Sequence, residues 1–210
     1  MSGGDRRTLG ALLFPGFELL DVFGPLELFG HLSDRVRMVL VGPRAGSVAS
    51  AQGPAAVAEY GRDDCPPLDL LLVPGGIGTR TGVNDGDLTG WIAARAATAE
   101  IVMGVCTGAA LLARAGVLDG RRATSNKRSF AWVESQGPNV AWVKRARWVR
   151  DGNRVTSSGV SAGMDMALAV IGDLFGAQAS EDIAVIAEYE PHRDPDWDPF
   201  AARYGLAPPG

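Results

Sequence analysis

Apolar positions in this chain fall into two alternating registers. Short, nearly unbroken apolar runs at residues 8–14, 36–41, 68–73 and 101–105 read as strands buried on both faces. Between them lie segments whose apolar residues recur three and four apart or whose residues are strong helix formers. These are 25–32, opened by Gly24-Pro25 with proline tolerated in the first turn, 87–98 with its Trp91, Ile92 and Ala96 stripe, and 109–113, stopping at Gly116. Further helices are predicted at 128–136, 162–175 and 180–189. The Ala/Val-rich stretch 47–60 reads as short strands. Residues 140–143, 146–149 and 154–157 are alternating, turn-separated runs, with Asp151-Gly152-Asn153 as a hairpin signal. Strands alternating with helices predict an α/β fold: a mostly parallel sheet covered on both faces, with a small hairpin appended.

A chain of 210 residues suits one α/β domain, taken as 1–190. The segment 191–210, rich in Pro and Asp with scattered aromatics, reads as an arm packed on the domain or on a neighbouring subunit. A net charge of −4 without a Lys/Arg block argues against a nucleic-acid footprint. No apolar run approaches a membrane span and the first residues lack a secretory segment, so a cytoplasmic protein with small-molecule partners is expected. Cys65 and Cys106 read as free thiols. His31 and His192 lie far apart without Cys or His at ligand spacing, so neither a metal nor a cofactor is expected.

Ligands in such folds bind beyond the carboxyl ends of the strands, here the loops 15–24, 74–80, 105–108 and 157–163. The 105–108 loop carries the sharpest signal. Gly104-Val-Cys-Thr-Gly108 joins an apolar strand to a helix, a nucleophile elbow that lifts the Cys106 side chain out of the fold. A thiol at a helix N-terminus is expected to have a lowered pKa, so that thiolate accumulates. The alternative for Cys106 is a small buried hydrophobe.

Asp21, enclosed by apolar neighbours in Phe17-Glu-Leu-Leu-Asp-Val-Phe23, is expected to have a raised pKa suited to proton transfer near neutrality. Its alternative is a cap on the helix at 25–32. Glu18 and Glu27 read as solvated charges. The glycines of Gly75-Gly76-Ile-Gly78 let backbone N–H groups face a ligand and, with the N–H of Thr107, form a candidate oxyanion hole, or simply a turn.

With these residues in place the chain resembles the DJ-1/PfpI superfamily and, within it, the isocyanide (isonitrile) hydratase group. The matching stretches are Leu12-Leu-Phe-Pro-Gly-Phe17, Leu20-Asp-Val-Phe-Gly-Pro25, Asp64-Cys-Pro-Pro-Leu-Asp69, Pro74-Gly-Gly-Ile-Gly78, Val105-Cys-Thr-Gly108, Leu118-Asp-Gly-Arg-Arg-Ala-Thr124, and the region from Asp151-Gly-Asn153 to Ser161-Ala-Gly-Met-Asp165. The resemblance implies a flavodoxin-like three-layer sandwich, a homodimer, and a Cys106 nucleophile interacting with Asp21. It departs from relatives that pair the elbow cysteine with histidine: Thr107 follows Cys106, and Thr124-Ser-Asn-Lys-Arg128 carries Asn126 where many relatives have histidine.

An isocyanide suits a cysteine and one acid. Cys106 would add to the terminal carbon, with a proton from Asp21, to give a thioimidate, and water would release an N-formamide. The N–H groups of Gly76 and Thr107 and the Thr107 hydroxyl would hold developing charge, and Ser158, Gly159 and Val160 would form part of the wall, which is expected to be apolar. Two alternatives stand beside this reading: a glyoxalase or deglycase acting on small aldehydes, and a non-enzymatic redox sensor or ligand-binding module. Too few residues follow Tyr189 for a DNA-binding domain, which disfavours a regulator.

Overall fold

The computed structural model describes residues 6–208. The first five residues and the last two, assigned above to the domain and the arm, lie outside the described residues. In chain order the first elements are β1 (Arg7–Leu12), α1 (Leu19–Gly30), β2 (Val36–Gly42), β3 (Gly46–Ala49), β4 (Ala55–Ala58), β5 (Tyr60–Gly61), β6 (Leu70–Val73), α2 (Thr79–Gly82), α3 (Gly86–Thr98) and β7 (Ile101–Val105). There follow α4 (Gly108–Arg114), β8 (Arg122–Ala123), α5 (Phe130–Gln136), β9 (Ala141–Trp142), β10 (Trp148–Asp151), β11 (Arg154–Ser157), α6 (Ala162–Phe175), α7 (Ala177–Ile186) and the single turn α8 (Phe200–Arg203).

Seven strands form one sheet in the order β10-β11-β7-β6-β1-β2-β5, and every pairing in it is parallel except β10 with β11. The expected α/β architecture with a mostly parallel sheet is thus present. Side chains of successive strand residues point to opposite faces, and the helices follow suit. A Cβ on Gly104 would meet Leu112 of α4, whereas the next residue, Val105, packs against Gly163 of α6 close to Pro25 of α1. The central strands β6 and β7 are buried at every position, as their unbroken apolar runs require.

Two boundaries differ from the sequence reading in ways that bear on the site. Helix α1 begins at Leu19, six residues before the expected start, and carries Pro25 in its interior. The missing N–H of Pro25 leaves the carbonyl of Asp21, four residues earlier, without its helical partner. Asp21 therefore stands in the first turn of α1 and does not cap a helix at 25–32. The hairpin of β10 and β11 is also not an appendage: β11 pairs parallel with β7, so the hairpin extends the main sheet. The separate two-stranded pieces are β3-β4 and β8-β9.

The arm folds back on the domain. The Pro195 carbonyl accepts the Arg147 N–H at 2.6 Å, His192 stacks on Trp197, and Asp198 is buried against Lys127 at 3.1 Å, with side chains 2% and 1% exposed. The Lys127 ammonium spends its three protons on Thr124 Oγ1, Ser125 O and Ala146 O. Asp198 Oδ2 consequently supplies charge without receiving a hydrogen bond. This pair anchors the 124–129 loop, one wall of the site.

Candidate active site

Cys106 follows β7 directly and has φ +57°, left-handed for a residue with a Cβ. Such strain costs of order 1–3 kcal/mol and persists only where the surroundings enforce it. Here they do: the Cys106 N–H donates to the carbonyls of Ser157 and Ser158, at 3.2 and 3.3 Å, and its carbonyl accepts the Ser125 hydroxyl at 2.7 Å. Gly108 lets the start of α4 press on the end of β6, since a Cβ there would sit 2.2 Å from the Val73 carbonyl.

Asp21 is fully buried. Its Oδ2 accepts the Gly75 N–H at 2.8 Å, while Oδ1 has no partner. The Cys106 thiol lies beside this carboxyl and slightly offsets the effect of burial on it, although no hydrogen bond of ordinary geometry joins them. Burial pushes the Asp21 carboxyl up to about 8, reinforced by the nearby Glu18 charge, so it is mainly protonated at neutral pH.

The thiol departs from expectation. Burial, and then the Asp21 carboxylate, push Cys106 well above its ordinary 9.0, outweighing the Thr107 N–H directed at the sulfur. Helix α4 is only seven residues long, and desolvation is the largest influence on the sulfur. The resting pair is a thiol beside a carboxylic acid, not a thiolate.

The oxyanion hole also needs correction. The Gly76 N–H donates to Thr107 Oγ1 at 3.0 Å, and Thr79 Oγ1 lies 3.1 Å from the same oxygen, so the Gly76 N–H is spent internally. Gly75 is packed so tightly that a Cβ would lie 2.6 Å from Thr107 N. Ser158 is buried and serves through its carbonyl, while Val160 lines the cavity. Gly159 borders the sulfur: a Cβ there would lie 2.8 Å from Cys106 Sγ and 2.3 Å from Asn126 Nδ2.

A cavity of about 380 Å³ opens onto Cys106, Thr107, Gly76 and Val160. Its remaining lining is mostly polar, with Glu18, Arg80, Asn126, Arg128 and Ser129 beside Ile77. The wall is thus not apolar as expected: only Val160 and Ile77 supply large apolar side chains to it. Glu18 is not a freely solvated charge, because its Oε1 accepts the Gln52 amide. Asn126 accepts the Ser129 N–H on Oδ1 at 3.0 Å, which turns its NH₂ toward Gly159 and the sulfur. In the sequence Asn126 stands out only as a departure, and Arg80, Arg128, Ser129 and Thr79 carry no signal. Polar residues from a one-turn helix and a separate loop leave no local periodicity to find.

Neither histidine reaches the cavity, which has no histidine in its lining. His31 caps the C-terminus of α1, and His192 belongs to the arm. Cys65 is buried away from the site, its thiol donating to the Pro66 carbonyl. Among the described residues, no cluster of three His, Cys, Asp or Glu side chains is arranged to hold a metal, and no helix is long and apolar enough to cross a membrane.

An elbow cysteine on a mostly parallel α/β sheet, with a buried acid beside it, defines a class of proteins, and comparison with known proteins identifies which. The DJ-1/PfpI family profile matches residues 9–173, and the chain belongs to this family. It is 36% identical over 183 residues to the isonitrile hydratase of Pseudomonas putida, covering 87% of this chain and 78% of that protein. It is also 32% identical over 189 residues to the HTH-type transcriptional regulator GbdR of Pseudomonas aeruginosa, covering 88% of this chain but only 51% of the regulator. Among solved structures, a ThiJ/PfpI family protein from Pseudomonas syringae superposes with a TM-score of 0.79 at 31% identity, over 93% of this chain and 79% of that one. Drosophila melanogaster DJ-1beta shares the fold, with a TM-score of 0.76 at 19% identity over 89% of this chain and all of its own. The family thus includes both an enzyme and regulators among the relatives of this chain.

Proposed function

We propose that this protein hydrates isocyanides to N-formamides through a covalent bond to Cys106. The observation that carries the reading is the buried Cys106–Asp21 pair, both groups protonated at rest, facing a cavity with no histidine in its lining. Identity to an isonitrile hydratase over most of both chains supports it.

An isocyanide has a terminal carbon with a lone pair that accepts a proton and then becomes electrophilic. Asp21 gives its proton to that carbon, and the resulting carboxylate takes the thiol proton as sulfur attacks. The product is a thioimidate, R–N=CH–S–Cys106, and Asp21 is again an acid. The proton is exchanged within the pair, so no net charge has to be created in the buried site at rest. In the second half Asp21 protonates the imine nitrogen and accepts a proton from the attacking water. The C–S bond then breaks as the carbonyl forms, and the hydroxyl proton returns by way of Asp21 to sulfur, releasing R–NH–CHO. The Thr107 N–H, aimed at the sulfur, stabilises it as it departs, and the Asn126 amide holds the incoming water or the substrate nitrogen.

The alternatives fare less well on the same geometry. A redox sensor needs an exposed, low-pKa thiol, whereas Cys106 is buried with its pKa raised. Aldehyde chemistry of the glyoxalase type commonly recruits a histidine for proton transfer, and none lines the cavity. A homodimer belongs to the proposal too, because Leu20 and Phe23 leave apolar surface on α1; sedimentation as a monomer at micromolar concentration would remove it. The direct test of function is to incubate the protein with an alkyl isocyanide and follow N-formamide by NMR. Formation by the wild type and none by Cys106→Ser supports the reading, and absence of formamide from the wild type refutes it.

A further inference from the structure

The chemistry above uses one end of the cavity and leaves the other unexplained. There, Arg80 and Arg128 line the same 380 Å³ space as Cys106, together with Ser129 and Asn126. Among the described residues neither arginine forms an ion pair with a carboxylate, whereas seven other arginines and the buried Lys127 do. Arg80 is also held in place. Its guanidinium carbon lies 3.6 Å from the centre of the Trp132 ring, its NH2 donates to Ser129 Oγ at 3.3 Å, and partial burial draws its pKa down. Stacking fixes the guanidinium plane while leaving donors free, the arrangement suited to planar anions. The acid in the lining, Glu18, is bonded through Oε1 to the Gln52 amide and pairs with neither arginine.

We infer that Arg80 and Arg128 form a carboxylate-binding subsite, and that the substrate is a small isocyano-carboxylic acid rather than an apolar isocyanide. The inference rests on the reading of Cys106 as the isocyanide nucleophile, and it adds the second recognition element. Scale limits the ligand. A cavity of this volume is roughly 9 Å across if spherical, so the isocyano carbon at the sulfur and the carboxylate at the arginines are separated by a short chain of about two to four carbons. The protonated state of Asp21 matters here as well: at neutral pH the reacting pair carries no charge to repel the anion. Charge-assisted, bidentate contacts would fix the substrate with its reactive end at the elbow.

Two experiments separate the subsite from the hydratase reading. The first uses no isocyanide. In a Cys65→Ala background, rates of Cys106 alkylation by iodoacetate and by iodoacetamide are measured, and their ratio is taken so that changes in thiol reactivity cancel. The ratio should fall about tenfold in Arg80→Gln/Arg128→Gln and by severalfold in Arg128→Gln alone, whose side chain is exposed and whose loss threatens no packing. An unchanged ratio in a folded Arg128→Gln protein and in the double variant would overturn the subsite. The second compares kcat/KM for 3-isocyanopropanoate with that for its methyl ester. A preference of about tenfold or more for the acid, lost in the arginine variants, supports the substrate class. Equal turnover of acid and ester overturns it. Turnover of neither refutes the hydratase reading, and the substrate class falls with it, while the alkylation ratio still decides the subsite.

Discussion

Replacing Asp21 by asparagine should stabilise the protein, and increasingly so as pH rises. Burial moves this carboxyl from its ordinary 3.8 to about 8. Between about pH 4 and pH 8, therefore, the native state retains a proton that the unfolded chain releases. The slope of the unfolding free energy with pH follows the protons bound by the unfolded state minus those bound by the native state, which is negative here, so wild-type stability falls across that window. Every pH unit crossed with one such proton retained costs about 1.36 kcal/mol. From pH 4 to pH 7, Asp21 alone therefore removes about 4 kcal/mol. The Cys106 thiol stays protonated throughout this range and adds nothing to the slope. Asparagine has no proton to lose, and its oxygen can still accept the Gly75 N–H that Asp21 accepts at 2.8 Å. Urea unfolding of both proteins at several pH values from 4.5 to 8 measures the gap. It should be small at the acid end, open by about 4 kcal/mol by pH 7, and accompany loss of turnover, a trade of function against stability. Stability curves that stay parallel within about 1 kcal/mol would show that the carboxyl is not held protonated, and the proton exchange proposed for it would fail.

Three further outcomes follow from the geometry. Gly159→Ala sets a methyl 2.8 Å from Cys106 Sγ and 2.3 Å from Asn126 Nδ2; turnover should drop by about tenfold or more with the fold intact by circular dichroism, and full activity would contradict this. Asp198→Ala strips the buried Lys127 ammonium of its only ion-pair partner among the described residues, at a cost of about 3 kcal/mol, read as a Tm lowered by roughly 10 °C; a loss below about 1 kcal/mol would mean that the arm does not brace the 124–129 loop. Alkylation of Cys106 by iodoacetamide should climb with pH beyond 9 without a plateau near neutrality, because burial and Asp21 hold the thiol protonated; a plateau between pH 6 and 8 would indicate a resting thiolate.

The framework of the fold could be read from apolar runs because buried parallel strands are apolar on both faces. The β6 and β7 runs and the whole of α6 fell where pattern placed them. Proline misled at α1: Pro25 reads as a first-turn residue, yet tertiary packing of Val22, Leu26 and Phe29 carries the helix through it. At the site, the enclosure of Asp21 was visible in its apolar neighbours, so the direction in which its pKa moves was too. The thiol was misjudged because a local rule about helix ends competes with burial, and burial is set by residues distant in sequence. Arg80 from α2 and Asn126 and Arg128 from the 124–129 loop converge in a meeting that no spacing encodes.

The central claim is that Cys106 forms the covalent bond to the isocyanide carbon. Intact-protein mass spectrometry after rapid mixing with an alkyl isocyanide and acid quench tests it most directly. The account predicts a transient species heavier by the full mass of the isocyanide, located on the Cys106 peptide, that decays as formamide appears and is absent from Cys106→Ser. Formamide produced without any adduct, or an adduct and turnover retained in Cys106→Ser, would contradict it.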